Sequence, residues 1–228
     1  MVKSKCISVI IPCYNEQDNI EISYNQVSTY LDNHGFNYQI IFVNDGSTDN
    51  TLKILQHIQK EYFGVNIITY DKNVGKGYAV YRGLNDAVYK TKLILDCDLS
   101  VCISELYKLN WNWVRNQPII KGQRIQVIRQ PLYRIILGKI FKMITYLLTG
   151  LNYDTQCPFT ILNLDKEFYS NLKINGFAFD VEILLKAKNQ EEPVYLFNVD
   201  YYNQRKSTVT FSKIIKMLFE LIKIRSKN

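Results

Sequence analysis

The feature that most constrains the fold is the pattern of the first hundred residues, where short apolar runs alternate with stretches of helical periodicity. The apolar runs are rich in β-branched residues and bounded by turn residues, which is typical of buried strands. Strands that are buried on both faces and joined by helices form a mostly parallel sheet with helices on both faces. We therefore predict an α/β fold of the Rossmann-like type. The predicted strands are residues 6–12, 38–43, 65–70 and 92–95, and the predicted helices are residues 16–33, 49–62 and 75–89.

The second half of the chain has a less regular pattern, and we predict fewer elements in it. No internal repeat, low-complexity tract or flexible linker divides the sequence. We therefore expect one α/β domain over residues 1–210, followed by an amphipathic basic helix over residues 211–228. The elements predicted in this half are an apolar and basic segment at 131–148, strands at 159–164 and 194–199, a helix after Asp180 and a helix at 211–225.

The net charge of +7 and the pI of about 9.0 favour an anionic partner, such as a nucleic acid, a phosphorylated substrate or an acidic membrane. Many of the basic residues fall in residues 121–142 and 206–227. No basic stripe is interleaved with aromatic residues, so we expect no binding to nucleic acid. The five cysteines lack zinc-ligand spacing and only two histidines are present, so we expect reduced thiols rather than a zinc site.

The sequence predicts contact with a membrane surface rather than a membrane span. No stretch reaches the ~20 apolar residues that cross a bilayer, and the N-terminal residues lack the pattern of a signal peptide. Residues 131–148 and 211–225 each combine apolar residues with lysines and arginines. Helices of this composition lie in a membrane interface, although packing onto the sheet would also bury an apolar face.

The sharpest chemical motif is Asp96-Cys97-Asp98, directly after the predicted strand at 92–95. In parallel sheets, ligands bind outside the carboxyl ends of the strands. Mg²⁺ and Mn²⁺ prefer oxygen ligands and bridge protein carboxylates to substrate phosphates. The motif therefore predicts a divalent-metal site with Asp96 and Asp98 as ligands. The alternative is that Asp98 only caps a helix starting near Val101.

Two other loops carry residues suited to a nucleotide. Tyr14 projects from the loop after the first strand and can stack a nucleobase, whereas Glu16 is also expected there from the helix dipole alone. Gly75-Lys76-Gly77 opens the third helix with a lysine and free backbone N–H groups, which suit a diphosphate.

The polar segment 44–49 after the second strand has two interpretations. Gly46 permits a tight turn, and Ser47 or Thr48 can cap the following helix. That account leaves unexplained why Asp45 lies with other polar groups at the carboxyl end of a strand. The alternative is that this segment holds a nucleobase or ribose.

Taken in order, these motifs resemble inverting glycosyltransferases of family 2, which have a GT-A fold. Motifs in the second half are similar to polyprenyl-phosphate sugar transferases of the dolichyl-phosphate glucosyltransferase and mannose synthase type. The resemblance covers roughly residues 6–200 and its specificity lies in the order of seven motifs. They are PCYNE (12–16), VNDGSTDNT (43–51), NVGKGYAVYRGL (73–84), LILDCDLS (93–100), KGQR (121–124), DTQCPF (154–159) and FAFDVE (177–182).

The resemblance implies inverting, Mg²⁺- or Mn²⁺-dependent transfer of a hexose from a nucleotide-diphosphate sugar to a polyprenyl phosphate. UDP-glucose is favoured as the donor, with GDP-mannose next, and the enzyme would lie peripherally on the cytoplasmic face of a membrane. Asp96 and Asp98 would hold the metal against the donor diphosphate, while Arg124 would bind the acceptor phosphate. The other residues expected to contact substrates are Pro12, Tyr14, Asn15, Glu16, Asp45, Gly75, Lys76, Cys97, Arg129, Arg134 and Gln156.

Three positions depart from the family pattern. Asn44 stands where an aspartate is common, which removes one charge near the nucleoside. Cys97 replaces the usual alanine, a small-for-small change. Pro158 stands where glycine is typical, and proline cannot adopt a positive φ and has no N–H. We therefore expect a reshaped loop beside the acceptor pocket.

The chemistry of the acceptor decides whether a catalytic base is needed. A phosphate monoester has a second pKa of about 6, so near pH 7 it is already a dianion and a competent nucleophile. It needs cations that position it rather than a base, and Arg124 and Arg134 suit that role. A hydroxyl acceptor needs a carboxylate base. The alternative function is a family 2 transferase acting on a hydroxyl of a cell-surface glycan, and a further one is an inactive interaction protein. Asp154, Asp180 and Glu182 are expected to have structural or supporting roles.

Overall fold

A computed structural model describes residues 4–128, 132–202 and 211–225, except for the side chains of 126–128, 132–134, 211–215 and 225. Within these residues, seven strands form one sheet in the order β3-β2-β1-β4-β6-β5-β7. Only β6 runs antiparallel to its neighbours in this described sheet. The predicted mostly parallel α/β sheet is therefore confirmed. The strands are β1 Lys5–Cys13, β2 Phe36–Asp45, β3 Val65–Tyr70, β4 Lys92–Leu95, β5 Ile119–Ile128, β6 Phe159–Leu162 and β7 Val194–Tyr202.

Helices cover both faces of this sheet. Side chains alternate along β1, so Val9 packs into the core beneath α1 and α2, while Ile10 packs into the core beneath α3, α7 and α8. A 3₁₀ helix spans Ile103–Lys108. The α-helices are α1 Ile20–Asn33, α2 Thr51–Glu61, α3 Lys76–Asp86, α4 Trp111–Val114, α5 Leu132–Thr149, α6 Lys166–Tyr169, α7 Phe179–Asn189 and α8 Phe211–Arg225.

The predicted capping roles are wrong at two helices. Neither Ser47 nor Thr48 caps α2, which starts at Thr51; the carboxylate of Asp49 instead accepts a hydrogen bond from the N–H of Thr51 at 2.9 Å. Asp98 does not cap the 3₁₀ helix, whose N-cap is Cys102. These predictions failed because each loop is longer than a minimal strand-to-helix turn, so the helix begins beyond the residue that has cap chemistry.

The C-terminal helix α8 is part of the packed structure. Met217, Leu221 and Ile224 are buried in the second core, and α8 packs against α5. In the described part of the chain, no helix has both the length and the apolarity that crossing a membrane requires. The domain boundary expected at residue 210 therefore lies beside a helix that contributes to the core of the α/β domain.

Candidate active site

The residues predicted to bind the donor and the metal follow the carboxyl ends of the parallel strands β1 to β4. Parallel pairing of β1 with β2 places Cys13 beside Asn44, so the loops that follow these strands leave the sheet side by side. β4 pairs with the other side of β1 and delivers Asp96 and Asp98 to the same edge. The topology thus brings the loops after β1, β2 and β4 together at one edge of the sheet, where parallel strands place their carboxyl ends.

The loops after β1 and β2 are locked together by their own polar groups. The N–H of Asn15 donates to Ser47 Oγ at 2.9 Å, and Asn15 Oδ1 accepts from the N–H of Thr48 at 2.8 Å. The N–H of Glu16 donates to Thr51 Oγ1 at 2.8 Å. Much of the polar composition of these motifs therefore serves to fix one loop against the other. Asn15 and Glu16 support this interlock, and their contact with a nucleotide stays a prediction.

Tyr14 and Pro12 occupy different layers of this edge. The Tyr14 side chain is 46% exposed and stands at the rim, where its ring is accessible to a flat ligand. Pro12 is half-buried within β1, in register with Val43. Tyr14 is thus placed for the predicted stacking, while Pro12 shapes the strand end beneath it.

Asp45 is nearly buried, at 3% exposure, and holds the loop that leads into α3. Its Oδ1 accepts from the N–H of Val74 at 2.8 Å, and its Oδ2 accepts from Asn73 Nδ2 at 2.8 Å and from the N–H of Gly75 at 3.0 Å. Both carboxylate oxygens are thus engaged within the protein. The structure gives Asp45 a supporting role in positioning the start of α3, and direct contact with the nucleotide stays a prediction.

The predicted free N–H groups at the start of α3 are a point that the structure corrects. The N–H groups of Gly77 and Tyr78 donate to the carbonyl oxygens of Gly176 and Asn175, at 3.1 and 3.2 Å. Gly77 has no room for a Cβ because this backbone lies against it. The sequence could not show this, since the partner segment is a hundred residues away. A diphosphate at this position would therefore meet the Lys76 ammonium rather than a row of free amides.

Lys76 and Asp96 form an ion pair, with Nζ 2.5 Å from Oδ1. Their side chains are 21% and 30% exposed, so the pair is partly accessible to solvent. Burial lowers the pKa of Lys76, but Asp96, Asp180 and Asp98 together raise it above its ordinary value. Lys76, the first residue of α3, is therefore a cation held against the metal-site motif.

Asp98 lies in a tight turn after β4. Its Oδ1 accepts from both the N–H and the hydroxyl of Ser100, at 3.0 and 2.8 Å. Between them, Leu99 has a φ of 47°, which is uncommon outside glycine. Cys97, at 4% exposure, is buried beside Cys13, and its expected contact with substrate stays a prediction. The turn thus directs the two carboxylates outward and the thiol inward.

The two carboxylates fit a hard divalent cation by donor type and by what they leave open. No hydrogen bond from residues 4–128, 132–202 or 211–225 reaches Oδ2 of Asp96 or of Asp98. The same residues contain no group of three or more His, Cys, Asp or Glu side chains able to hold a metal. Mg²⁺ and Mn²⁺ commonly take one or two carboxylates and complete their shell with water and substrate phosphates. Two open carboxylate oxygens match that mode of binding.

Arg124, on β5, is a second cation of the candidate site and pairs with Asp154. Its Nε and Nη2 donate to the two oxygens of Asp154 at 2.6 and 2.9 Å, and its guanidinium lies 5.2 Å from the centre of the Tyr201 ring. Burial lowers the pKa of Arg124 and raises that of Asp154, but their pairing outweighs it, so the pKa of Arg124 rises and that of Asp154 falls. Of the five N–H groups of an arginine, three remain after this pairing.

Lys121 is a structural cation that the sequence did not reveal. It is fully buried, and its Nζ donates to Cys157 O at 2.7 Å, to Thr160 Oγ1 at 2.9 Å and to Asp180 Oδ1 at 3.0 Å. Burial raises the pKa of Asp180 even though Lys121 opposes this shift. The only local signal in the sequence is a lysine that follows two isoleucines. This pair fixes β5, and hence Arg124, against α7.

Two buried amides lie next to the Arg124–Asp154 pair in the chain. Nε2 of Gln123 and Nε2 of Gln156 are buried and have no hydrogen-bond partner among the described residues. The backbone N–H of Gln156 donates to Asp154 Oδ1 at 3.1 Å. Buried donors of this kind normally have a partner in the protein or in ordered water, so these two are exceptions among the described residues. Gln156 was predicted to contact substrate, whereas Gln123 was not.

The remaining predicted arginines cannot be placed. Arg129 lies outside the described residues. Arg134 belongs to α5, but its side chain is not among those described. The contact of Arg129 with a substrate and that of Arg134 with the acceptor phosphate stay predictions.

Comparisons with known proteins agree with this architecture. Residues 8–163 match the sequence profile of Glycosyl transferase family 2. A dolichyl-phosphate beta-glucosyltransferase of Trichomonas vaginalis is 28% identical, with 96% of this chain and 72% of that protein aligned. The human dolichyl-phosphate beta-glucosyltransferase is 27% identical, with 97% and 75% aligned.

A solved structure shows the same fold. Glucosyl-3-phosphoglycerate synthase from Mycobacterium tuberculosis, in complex with Mn²⁺, UDP and glucosyl-3-phosphoglycerate, superposes with a TM-score of 0.68. The two sequences are 16% identical, and the superposition covers 96% of this chain and 78% of the synthase chain. At this identity the similarity supports the GT-A fold alone. Because the family profile covers more than half of the sequence and the fold agrees with it, this chain belongs to glycosyl transferase family 2 and is a glycosyltransferase.

Proposed function

We propose that this enzyme transfers a hexose, with glucose favoured, from a nucleotide-diphosphate sugar to a polyprenyl phosphate with inversion. The observation that carries the proposal is the Arg124–Asp154 pair, which presents a half-buried, permanently charged guanidinium with three N–H groups to spare. Guanidinium forks match phosphate oxygens. The names of the aligned dolichyl-phosphate glucosyltransferases support the same acceptor class.

The carboxylates near the acceptor side argue against a hydroxyl acceptor. A general base needs a pKa near the working pH and an accessible oxygen. Asp154 has a lowered pKa and both oxygens on Arg124, and Asp180 is tied to the buried Lys121. A polyprenyl phosphate dianion needs no base, since its own oxygen is the nucleophile.

On the donor side, each residue has a distinct task. Tyr14 stacks the nucleobase at the rim, and Lys76 neutralises the diphosphate. Asp96 and Asp98 would hold Mg²⁺ or Mn²⁺, which supplies Lewis-acid stabilisation of the leaving diphosphate. Direct attack by the acceptor oxygen on the anomeric carbon, from the face opposite the diphosphate, inverts the configuration there. UDP-glucose is the favoured donor and GDP-mannose the next.

Two helices supply a surface for the lipid that carries the acceptor. On α5, the large apolar side chains of Ile136, Met143 and Leu147 are 57%, 56% and 66% exposed, and on α8 those of Phe219 and Ile222 are 68% and 55% exposed. α5 and α8 pack against each other, so these side chains belong to neighbouring elements. Apolar groups of this size beside lysines suit the headgroup boundary of a bilayer. We place the enzyme peripherally, on the cytoplasmic face.

The direct test is a transfer assay with purified protein, a short polyprenyl phosphate and a panel of UDP- and GDP-sugars, with products identified by mass spectrometry. The expected product is a polyprenyl phosphate hexose formed fastest from UDP-glucose. A matched reaction with a polyprenol that lacks the phosphate tests the acceptor class. Transfer to the polyprenol, or to a glycan hydroxyl but not to the phosphate, would make the hydroxyl-acceptor alternative correct.

A further inference from the structure

Glu220, on α8, reaches the segment 174–178 that precedes α7. Its Oε2 accepts a hydrogen bond from the backbone N–H of Ala178 at 3.2 Å. A Cβ on Gly176 would lie 2.7 Å from the carboxyl carbon of Glu220, so the close approach depends on glycine at this position. Ala178 is the N-cap of α7 and provides no side-chain cap of its own. Glu220 therefore supplies a carboxylate to the N-terminus of α7 from another helix, which the helix dipole favours.

The same segment holds the start of α3 from the opposite direction. Its carbonyl oxygens at Asn175 and Gly176 accept the N–H groups of Tyr78 and Gly77. These two residues directly follow Lys76, the lysine that pairs with Asp96. A shift of the segment would therefore carry the start of α3 with it and move the Lys76 ammonium relative to the metal-site carboxylates.

The helix that bears Glu220 also bears exposed apolar side chains. Phe219 and Ile222 flank Glu220 in the sequence, while Leu221 is fully buried in the core. One short stretch of α8 thus faces outward, packs on the core and touches the segment 174–178. Glu182 of α7 holds the start of the same segment, since its Oε2 accepts from the N–H of Ile174 at 2.8 Å, whereas Glu220 holds its end at Ala178.

We propose that Glu220 is a positioning residue that couples α8 to the donor site through the segment 174–178, and so sets the position of Lys76. The inference rests on the proposed function for the identity of the donor, since Lys76 is taken to meet a nucleoside diphosphate. It goes beyond that function by giving a task in donor binding to a helix that lies outside the substrate-contacting motifs. The acceptor side is not part of the coupling.

The first test measures hydrogen exchange in the full chain. In Glu220→Ala, the amides of Gly77 and Tyr78 should exchange severalfold faster than in the wild type, because the segment that accepts them has lost the carboxylate that holds its end at Ala178. Glu220→Gln keeps an oxygen acceptor for the N–H of Ala178 and should restore most of the protection. Ile222→Ala, an exposed neighbour on the same helix, is the matched control and should leave this exchange unchanged.

The second test is calorimetry with UDP in the presence of Mn²⁺. Glu220→Ala should weaken UDP binding by roughly tenfold, as expected when one hydrogen bond to a charged group is lost and its effect reaches the site. Its affinity for a short polyprenyl phosphate should stay the same, and Glu220→Gln should again approach the wild type. A defect that is only structural would lower both affinities together.

The outcomes separate the coupling from the proposed function. A folded Glu220→Ala with wild-type exchange at Gly77 and Tyr78 overturns the coupling. If Glu220→Ala does not fold, Gly176→Ala displaces the same carboxylate while leaving the sequence of α8 unchanged. Wild-type exchange at Gly77 and Tyr78 in that variant also overturns the coupling. If the wild type fails to bind UDP but the exchange difference is present, the donor assignment is wrong and the coupling stands.

Discussion

Lys76 and Arg124 show how this site keeps permanent cations in place without leaving them unpaired. Each contacts one carboxylate, Asp96 and Asp154 respectively, and each retains N–H groups for a phosphate. Burying a charge without a partner costs several kcal/mol, so a cation that is to meet a phosphate must be stabilised beforehand. In the proposed function, the Lys76–Asp96 pair serves the donor and the Arg124–Asp154 pair serves the acceptor.

The metal-site assignment predicts the effect of Asp98→Ala. Loss of one of two carboxylate ligands should lower the transfer rate by at least about a hundredfold, as removal of an electrostatic stabiliser of a leaving group does. The fold should persist, since the Asp98 side chain bonds only to Ser100 among the described residues. Rate measurements with added Mn²⁺, together with circular dichroism, check both points. Full turnover of the wild type in excess EDTA would contradict the assignment.

Arg124→Lys should impair the acceptor side selectively. A lysine keeps the positive charge but cannot bind Asp154 and a phosphate with a planar fork. We expect the KM for polyprenyl phosphate to rise by roughly tenfold to a hundredfold, the effect of losing one or two charge-assisted hydrogen bonds, with little change in the KM for the donor. Steady-state kinetics with each substrate varied in turn distinguish these effects. Arg115→Lys, at the end of α4, is the control and should behave as wild type.

The lowered pKa of Asp154 gives a pH dependence with a defined sign. A carboxyl whose pKa is lower in the folded state stabilises the protein above its unfolded pKa, about 3.9, and loses that effect as pH falls through the folded value. The stability difference between the wild type and Asp154→Asn should therefore be constant from about pH 5 to 7 and shrink below about pH 4. Urea unfolding at several pH values measures it. A difference that grows on acidification would show that the sign is wrong.

At the scale of elements, the strands of the first half could be predicted and β5 could not. β3 and β4 have the predicted bounds because their runs are short, apolar and bounded by turns. β5, IIKGQRIQVI, carries a lysine, a glycine and an arginine within a strand, so its sequence has no period of two or continuous apolarity. It is a strand because Lys121 finds Asp180 and because β6 and β7 pair with it on either side. These are contacts over long sequence separations, which local patterns do not contain.

The site shows the same division between local and distant information. Asp96 and Asp98 were predictable, since their chemistry and their strand-end position lie in adjacent residues. The occupied N–H groups of α3 were not, because their acceptors, Asn175 and Gly176, belong to the second half. Asp45 shows an intermediate case: its position was predicted, while its three partners in the next loop were not. Sequence motifs thus predicted which residues lie at the strand ends, but not the contacts that support them.

The buried pair between β5 and α7 predicts a stability effect at this scale. Lys121→Met should lower the free energy of unfolding by about 3–5 kcal/mol, because Asp180 is left buried without its partner. Lys121→Met combined with Asp180→Leu should recover most of this loss, since the uncompensated charge is gone. Urea denaturation of the three proteins measures the effect. A double variant no more stable than Lys121→Met would indicate that the remaining Lys121 contacts, to Cys157 O and Thr160 Oγ1, carry the stability instead.

At the scale of the whole molecule, the proposed acceptor would bridge the catalytic edge and a bilayer, because a polyprenyl phosphate has a charged headgroup and an apolar chain. The chain carries a net charge of +7, and α5 and α8 expose large apolar side chains beside lysines. Deleting α8 would not test membrane binding cleanly, because Met217, Leu221 and Ile224 are part of the core. Substitutions confined to the exposed face of α8 avoid that difficulty.

The last prediction concerns Phe219→Ser combined with Ile222→Ser. Full burial of a large apolar side chain contributes about 1.5–3 kcal/mol, so even partial insertion of both should make the double variant bind liposomes at least roughly tenfold more weakly. Each basic residue near anionic headgroups adds about 1 kcal/mol, and salt screens this attraction. Wild-type binding should therefore rise with the anionic lipid fraction and fall, without vanishing, at high salt.

Phe63→Ser is the matched control, since Phe63 is fully exposed but lies between α2 and β3. Co-sedimentation with liposomes measures all three proteins. Equal binding by the double variant and the wild type would show that this face of α8 does not meet the bilayer, and a wild type that stays in the supernatant at low salt would remove the membrane surface from the proposal altogether.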